Sequence, residues 1–90
     1  MKKVLAKLSR NELEQLELLH SRISTYRALL QNKFVSNSER VVISKELSSF
    51  EQELDSLVES LIKKYRIPKS ISNIMQISYN DSEIYLEMNN

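Results

Sequence analysis

The sequence predicts a mainly α-helical protein, an antiparallel two-helix hairpin with a small C-terminal β-hairpin. Three observations support this fold class. The first is a pair of apolar series with the three- and four-residue steps of a helix–helix seam: Leu16, Leu19, Ile23, Tyr26 and Leu30, then Ile43, Leu47, Phe50, Leu54, Leu57 and Leu61. The second is the short segment between the series. The third is a change from helical spacing to alternation after Pro68.

The first helix is predicted over 10–33. Ser9 and Glu12 have the spacing of a capping box, in which each side chain accepts a hydrogen bond from the other residue's amide. Residues 3–8 precede this helix, and their apolar residues Val4, Ala6 and Leu8 alternate with Lys3, Leu5 and Lys7. That segment predicts either a short strand or a frayed extension of the helix.

The second helix is predicted over 38–66. Ser36 and Glu39 form a second candidate capping box, and Ser38 is a rival N-cap. Pro68 disfavours helical geometry at Ile67, so the helix should end near that point. Since the connection between the helices is so short, they should be antiparallel neighbours.

A β-hairpin is predicted over 74–88. Alternating apolar residues define its two strands, and the turn-forming residues Asn80, Asp81 and Ser82 separate them. An isolated hairpin is marginal in water, so it needs the helices, another chain or a third strand, which residues 3–8 could supply. The apolar residues concerned are Met75, Ile77, Tyr79, Ile84, Leu86 and Met88.

Composition places the 90 residues in a single domain, 1–90. The chain has no cysteine and no glycine, which excludes disulfides, cysteine-ligated metals and glycine-rich phosphate loops. A formal net charge of +1 disfavours nucleic acid as a partner. No apolar run is long enough to cross a membrane, so we expect a cytoplasmic protein with no membrane partner.

Six polar side chains of the helices and their ends are candidates for chemistry: His20, Glu46, Glu53, Asp55, Tyr26 and Tyr65. A lone histidine, carboxylates beside a seam and tyrosines at seam positions are all typical of ordinary helix packing. The sequence therefore predicts no catalytic residue, no cofactor-binding residue and no metal ligand.

A second apolar set flanks the seam, and two helices alone cannot cover it. Either the C-terminal hairpin or a second copy of the chain should do so, and the sequence leaves both alternatives open. The set comprises Leu18, Leu29, Val41, Val58 and Ile62.

Most of the chain resembles small accessory proteins of CXXX-repeat peptide modification systems, which accompany enzymes that modify ribosomally made peptides. The matching features are the start Met1-Lys2-Lys3-Val4-Leu5, Glu12, the helix end Lys63-Lys64-Tyr65 and the tail Ser82-Glu83-Ile84-Tyr85-Leu86. Tryptophans found near the end of the second helix in that family are missing here. The resemblance implies a helper role with no chemistry of its own.

A second resemblance lies in the helices. Gln52-Glu53-Leu54-Asp55 matches four letters of the Ser-Gln-Glu-Leu-Asp motif of the short phosphatases of the sporulation phosphorelay, with Glu51 in place of the serine. The spacing of Ile23, Arg27 and Leu30 is similar to that of the family's first helix. This resemblance implies that Asp55 helps to position water at the acyl phosphate of a response regulator, which provides the magnesium site. The C-terminal hairpin departs from that family.

The sequence therefore favours a non-enzymatic module that binds a protein or peptide partner, including an accessory role in ribosomal peptide modification. Homodimerisation stays open. The alternative is a phosphatase acting on phosphorylated response regulators.

Overall fold

The computed structural model describes residues 1–88. Two long helices pack side by side as an antiparallel hairpin, and a three-stranded antiparallel sheet lies at one end, so the predicted fold class is confirmed. In chain order the elements are β1 (Lys2–Lys7), α1 (Arg10–Gln31), α2 (Asn37–Lys64), a single helical turn α3 (Lys69–Ser72), β2 (Gln76–Ser78) and β3 (Glu83–Glu87).

Helix α1 begins at the predicted capping box. The Ser9 hydroxyl accepts from the Glu12 amide at 3.2 Å, and the Glu12 carboxylate accepts from the Ser9 amide at 2.8 Å. The helix ends at Gln31, two residues before the predicted end. Asn32 is extended there, and the Arg40 guanidinium binds the backbone carbonyls of Leu30 and Asn32. A side chain from the next helix thus satisfies carbonyls at the end of α1.

Helix α2 begins at Asn37, one residue earlier than predicted, because Ser36 rather than Ser38 is its N-cap. The Ser36 hydroxyl accepts from the Glu39 amide at 3.2 Å, and the Glu39 carboxylate accepts from the Ser36 amide at 3.1 Å. Hydrogen bonding to Ser36 also lowers the pKa of Glu39.

The end of α2 also differs from the predicted boundary of 66. The helix stops at Lys64, and Arg66 adopts the left-handed conformation with φ 55°. The Ile67 amide then bonds back to the carbonyl of Ile62 at 2.9 Å, as in a Schellman cap. Glycine is the usual residue at this position, but the chain has none, so an arginine adopts the conformation instead.

The sheet has the strand order β1-β3-β2, which places the C-terminal strand in the middle. Residues 2–7 are therefore a strand and not an extension of α1. In the register of β1 and β3, Val4 pairs with Tyr85 and Ala6 pairs with Ile84, which leaves Leu5 as a bulge.

The C-terminal hairpin is present but shorter than predicted. Strand β2 starts at Gln76 rather than residue 74, because the α3 turn continues into a turn in which the Ile74 amide bonds to the Ile71 carbonyl. The connection to β3 ends at Ser82, which has φ 54°. Ile77 faces Ile84 across the hairpin, as the predicted apolar face requires. Met88 lies at the margin of that face and is 44% exposed.

The core lies where the sheet packs on one end of the helical hairpin, which we call the base. Leu16 and Ile84 are fully buried there, together with Ala6, Leu8, Leu61 and Ile67. The remainder of the two helices, which we call the arm, buries only Leu19, Ile23 and Leu47. The molecule measures 47 × 27 × 25 Å and has a radius of gyration of 15.7 Å, against about 12 Å for a compact chain of this length.

Candidate interaction surfaces

The sheet covers part of the second apolar set and leaves the rest exposed. Val58 and Ile62 are half-buried against the core at the base. Leu18, Leu29 and Val41 remain 52%, 37% and 56% exposed. Packing at the base therefore covers only two of the five residues of the set.

The exposed leucines lie on the side of α1 that faces away from the sheet. The ring of Tyr79, at the end of β2, lies 6.0 Å from the ring of His20, which places the sheet on the His20 side of the helix. Successive residues turn by about 100° around a helix, so Leu18 points nearly opposite to His20. Two surfaces of the arm can thus be distinguished, and each contains a groove between the helices.

The outer face is the surface opposite the sheet, defined by Leu18, Arg22 and Leu29 of α1 and Val42, Ser49, Glu53 and Ser56 of α2. Its groove has a volume of about 580 Å³. Ser49 and Ser56 of α2 have small side chains, so the surface there lies lower than at Leu18 and Arg22 of α1. The Arg22 guanidinium lies 5.5 Å from the Phe50 ring. Within residues 1–88, neither Arg22 nor Glu53 has an ion-pair partner.

The sheet-side groove is the smaller of the two, with a volume of about 310 Å³. His20, Ser24 and Arg27 of α1 line one wall. Glu51 and Asp55 of α2 line the other, and Arg27 Nη2 lies 3.1 Å from Glu51 Oε2. The structure therefore brings Arg27 and Asp55, two residues of the phosphatase resemblance, into one groove with Glu51, which departs from that family's motif. The matched residues Gln52 and Glu53 line the groove of the outer face instead.

The other candidates for chemistry do not form a shared site. Glu46 accepts a hydrogen bond of 2.5 Å from the Tyr26 hydroxyl, which raises the pKa of that tyrosine. Glu53 lies on the outer face and Asp55 in the sheet-side groove, so these carboxylates are not a pair. The Tyr26 ring packs edge-on against Phe50 at 5.2 Å, as expected of a seam residue.

At the base, Glu12 joins the start of α1 to the end of α2. Its carboxylate accepts hydrogen bonds from Lys64 Nζ and from the Tyr65 hydroxyl, each at 2.6 Å. Burial alone would raise the pKa of Glu12, but the hydrogen bonds from Lys64, Tyr65 and Ser9 outweigh it and lower the pKa to about 2. Tyr65 therefore acts as a structural donor at this joint.

An ionic cluster on the solvent side of the sheet was not predicted from the sequence. Glu83 is only 3% exposed and lies between Lys2 and Lys7, with Lys7 Nζ at 2.9 Å. Lys2 also binds Asp81 at 3.1 Å. Hydrogen bonds from Lys2 and Lys7 lower the pKa of Glu83, and those from Lys2 and Ser78 lower the pKa of Asp81. The lysines of β1 were the available signal, but their partners are about eighty residues away.

Three lysines form separate ion pairs within the protein and so do not make one basic patch. Lys2 and Lys7 bind carboxylates of the sheet, and Lys64 binds Glu12.

In residues 1–88, no three His, Cys, Asp or Glu side chains gather closely enough to hold a metal ion. Over the same residues, neither long helix has an apolar stretch that could cross a bilayer.

Comparison of the chain with protein-family models, curated proteins and solved structures gave no match.

Proposed function

We propose that the protein is a non-enzymatic interaction module that binds another protein or a peptide through the outer face. The observation that carries the proposal is the 52% exposure of Leu18 on the wall of an open groove on the side of the arm that the sheet does not cover, with Leu29 and Val42 exposed by 37% and 56% further along the same face. Aliphatic side chains along a groove between helices are the features that bind an amphipathic partner helix.

Site-specific photocrosslinking tests this proposal in cells that make the protein. A benzophenone amino acid in place of Leu18 should crosslink to a protein. The same amino acid in place of Gln31, which is exposed near the other side of α1, should not. Mass spectrometry of the crosslinked species identifies the partner. If position 18 gives no crosslinked protein at all, the outer face is not an interaction surface.

A narrower form of the proposal is an accessory role in ribosomal peptide modification. It is supported by the placement of the segments that resemble that family. Val4 and Leu5 lie in the strand that pairs with residues 83–87, and Glu12 binds both Lys64 and Tyr65. The resembling segments thus form the base together, as parts of a shared fold would. Co-purification with a radical peptide-modifying enzyme encoded next to this protein tests the role, and failure to bind that enzyme would reject it.

The second candidate function is dephosphorylation of a phosphorylated response regulator. It is favoured by the sheet-side groove, where Asp55 lies with Arg27 and Glu51 between the helices. In this mechanism Asp55 orients the attacking water, and the regulator supplies the magnesium ion.

Loss of phosphate from an acyl-phosphorylated regulator, followed on phosphate-affinity gels, distinguishes this candidate. If the protein is a phosphatase, Asp55→Ala should abolish the accelerated loss of phosphate, whereas Glu59→Gln, which changes an exposed carboxylate of α2 outside the matched motif, should retain it. A wild-type protein that accelerates no regulator's dephosphorylation would reject the candidate.

A further inference from the structure

We propose that the partner that binds the outer face is a second copy of this chain, so that two arms form a symmetric four-helix bundle. This inference rests on the proposed function, because it names the occupant of the same face. The two-fold axis runs parallel to the helices between the two outer faces, which places α1 of each copy over α2 of the other.

The contacts across the seam determine which residues such an axis brings together. Between the antiparallel helices, Glu12 contacts Lys64, Arg22 contacts Phe50 and Tyr26 contacts Glu46. Leu18 therefore lies near the level of Ser56, and Arg22 lies within one turn of Glu53. Nearer the tip, the contact between Tyr26 and Glu46 places Leu29 within one turn of Val42. Rotation about an axis parallel to the arm preserves these levels and exchanges α1 with α2.

The outer face is self-complementary under this operation, as a two-fold interface must be. The Leu18 side chain lies over the partner's Ser56, where the serine leaves room for it. Leu29 meets the partner's Val42 near the tip. These two apolar contacts lie near opposite ends of the face, and a polar middle separates them.

The charges of the outer face are complementary in the same register. Arg22 and Glu53 lack ion-pair partners within residues 1–88 and carry opposite charges on opposite sides of the groove. The rotation places each Arg22 over the partner's Glu53, which forms two ion pairs per dimer. Pairs of this kind specify the register and the partner more than they add affinity.

The position of the sheet leaves the outer face accessible to a second copy. The sheet lies on the other side of the helices, where Tyr79 packs on His20, and Val58 and Ile62 pack against the core of the base. In the dimer both sheets therefore lie on the outside of the bundle, at the same end. The second copy also gives the arm the second layer that a four-helix bundle uses to bury its helices.

Sedimentation equilibrium of the full chain tests the proposal. At about 100 µM, well above a micromolar dissociation constant, the mass should be twice the 10.6 kDa of one chain. Leu18→Glu should weaken the dimer at least about tenfold because it places a carboxylate in the apolar contact. The control Ile74→Glu changes a residue that is 59% exposed at the base and should leave the dimer intact.

A charge exchange tests the register independently of the leucine. Arg22→Glu and Glu53→Arg should each weaken the dimer at least about tenfold, because each puts like charges together. The double variant reverses both charges and should restore the wild-type dissociation constant to within about threefold. Circular dichroism of each variant confirms that the helices are retained. Should Leu18→Glu fail to fold, the charge exchange still decides the question.

Two outcomes overturn the inference: a wild-type monomer at the highest concentration, or a dimer that neither Leu18→Glu nor the single charge reversals weaken. The photocrosslinking experiment separates this failure from failure of the proposed function. A crosslink from position 18 to another copy supports both proposals. A crosslink only to a different protein retains the interaction module and rejects the dimer.

Discussion

Glu12 has two structural roles at the base of the arm. Its hydrogen bond to the Ser9 amide completes a capping box, which the four-residue motif predicts. Its hydrogen bonds to Lys64 and Tyr65 join the two helices. The second role could not be predicted from the sequence because those partners lie more than fifty residues away, and only the antiparallel fold brings them beside Glu12.

Replacing Glu12 by glutamine should reduce the free energy of unfolding by about 1.5–3 kcal/mol at neutral pH, the range for hydrogen bonds to a charged group. Glutamine keeps the size of the side chain but removes the charge that Lys64 binds. Urea denaturation measures the loss. The control is Glu14→Gln, whose exposed carboxylate pairs only with Arg10 one turn away, and its effect should stay below about 0.5 kcal/mol.

The Glu12 carboxylate should also make the free energy of unfolding depend on pH. Its pKa is lower in the folded protein, about 2, than its ordinary value of 4.5. Its contribution is therefore present above pH 4.5 and is lost as the pH falls towards 2. Denaturation curves between these limits should show a steeper loss of stability for wild type than for Glu12→Gln. Parallel curves for the two proteins would contradict the assigned role of Glu12.

The helices show which boundaries a sequence can predict. Both start at serine capping boxes, which are local and recognisable. Both end earlier than predicted, for reasons outside the local pattern. Arg40 binds the last carbonyls of α1 from the neighbouring helix, and Arg66 adopts the left-handed conformation with no glycine to signal it. Strand β1 was ambiguous for a similar reason, because its pairing partner β3 is distant in the chain.

The start of α2 provides a test at this scale. Ser36→Ala should reduce the free energy of unfolding by about 0.5–2 kcal/mol, because the Glu39 amide loses its side-chain acceptor. Ser38→Ala is the matched control, since Ser38 lies inside the helix and touches the cap only through its hydroxyl, 3.2 Å from that of Ser36, so its loss should be smaller. Thermal or urea denaturation compares the two. A larger loss for Ser38→Ala would show that the helix begins later than described.

On the scale of the whole molecule, the sequence predicted the parts better than their arrangement. The seam residues and the alternation after Pro68 predicted two helices and a hairpin, because each pattern is local. The strand order, with β3 between β1 and β2, depends on contacts between the two ends of the chain. The division of the second apolar set follows from that order, because the sheet covers Val58 and Ile62 but leaves Leu18 exposed.

Amides of the arm should exchange with solvent faster than amides of the base, because the arm buries fewer side chains. The base contains the fully buried Leu16 and Ile84, whereas the arm depends on Leu19, Ile23 and Leu47 along a single seam. Opening from the tip therefore breaks few buried contacts and costs little free energy. In dilute protein, amides in 24–31 and 37–47 should exchange faster than those in 12–19 and 57–64. Equal protection along α2 would contradict this division.

The protection of the arm from amide exchange should also rise with protein concentration, because the proposed dimer covers the arm. A second copy on the outer face covers Leu29 and Val42 near the tip, so opening the arm must also break the dimer. Raising the protein from about 1 to about 100 µM should slow exchange in 37–47 by about tenfold or more, because association stabilises the state that it binds. Amides of β3 at the base should change less. Mass spectrometry of peptides from both regions gives this comparison in one experiment. If the arm exchanges at the same rate at both concentrations, its helices are stable without a partner on that face.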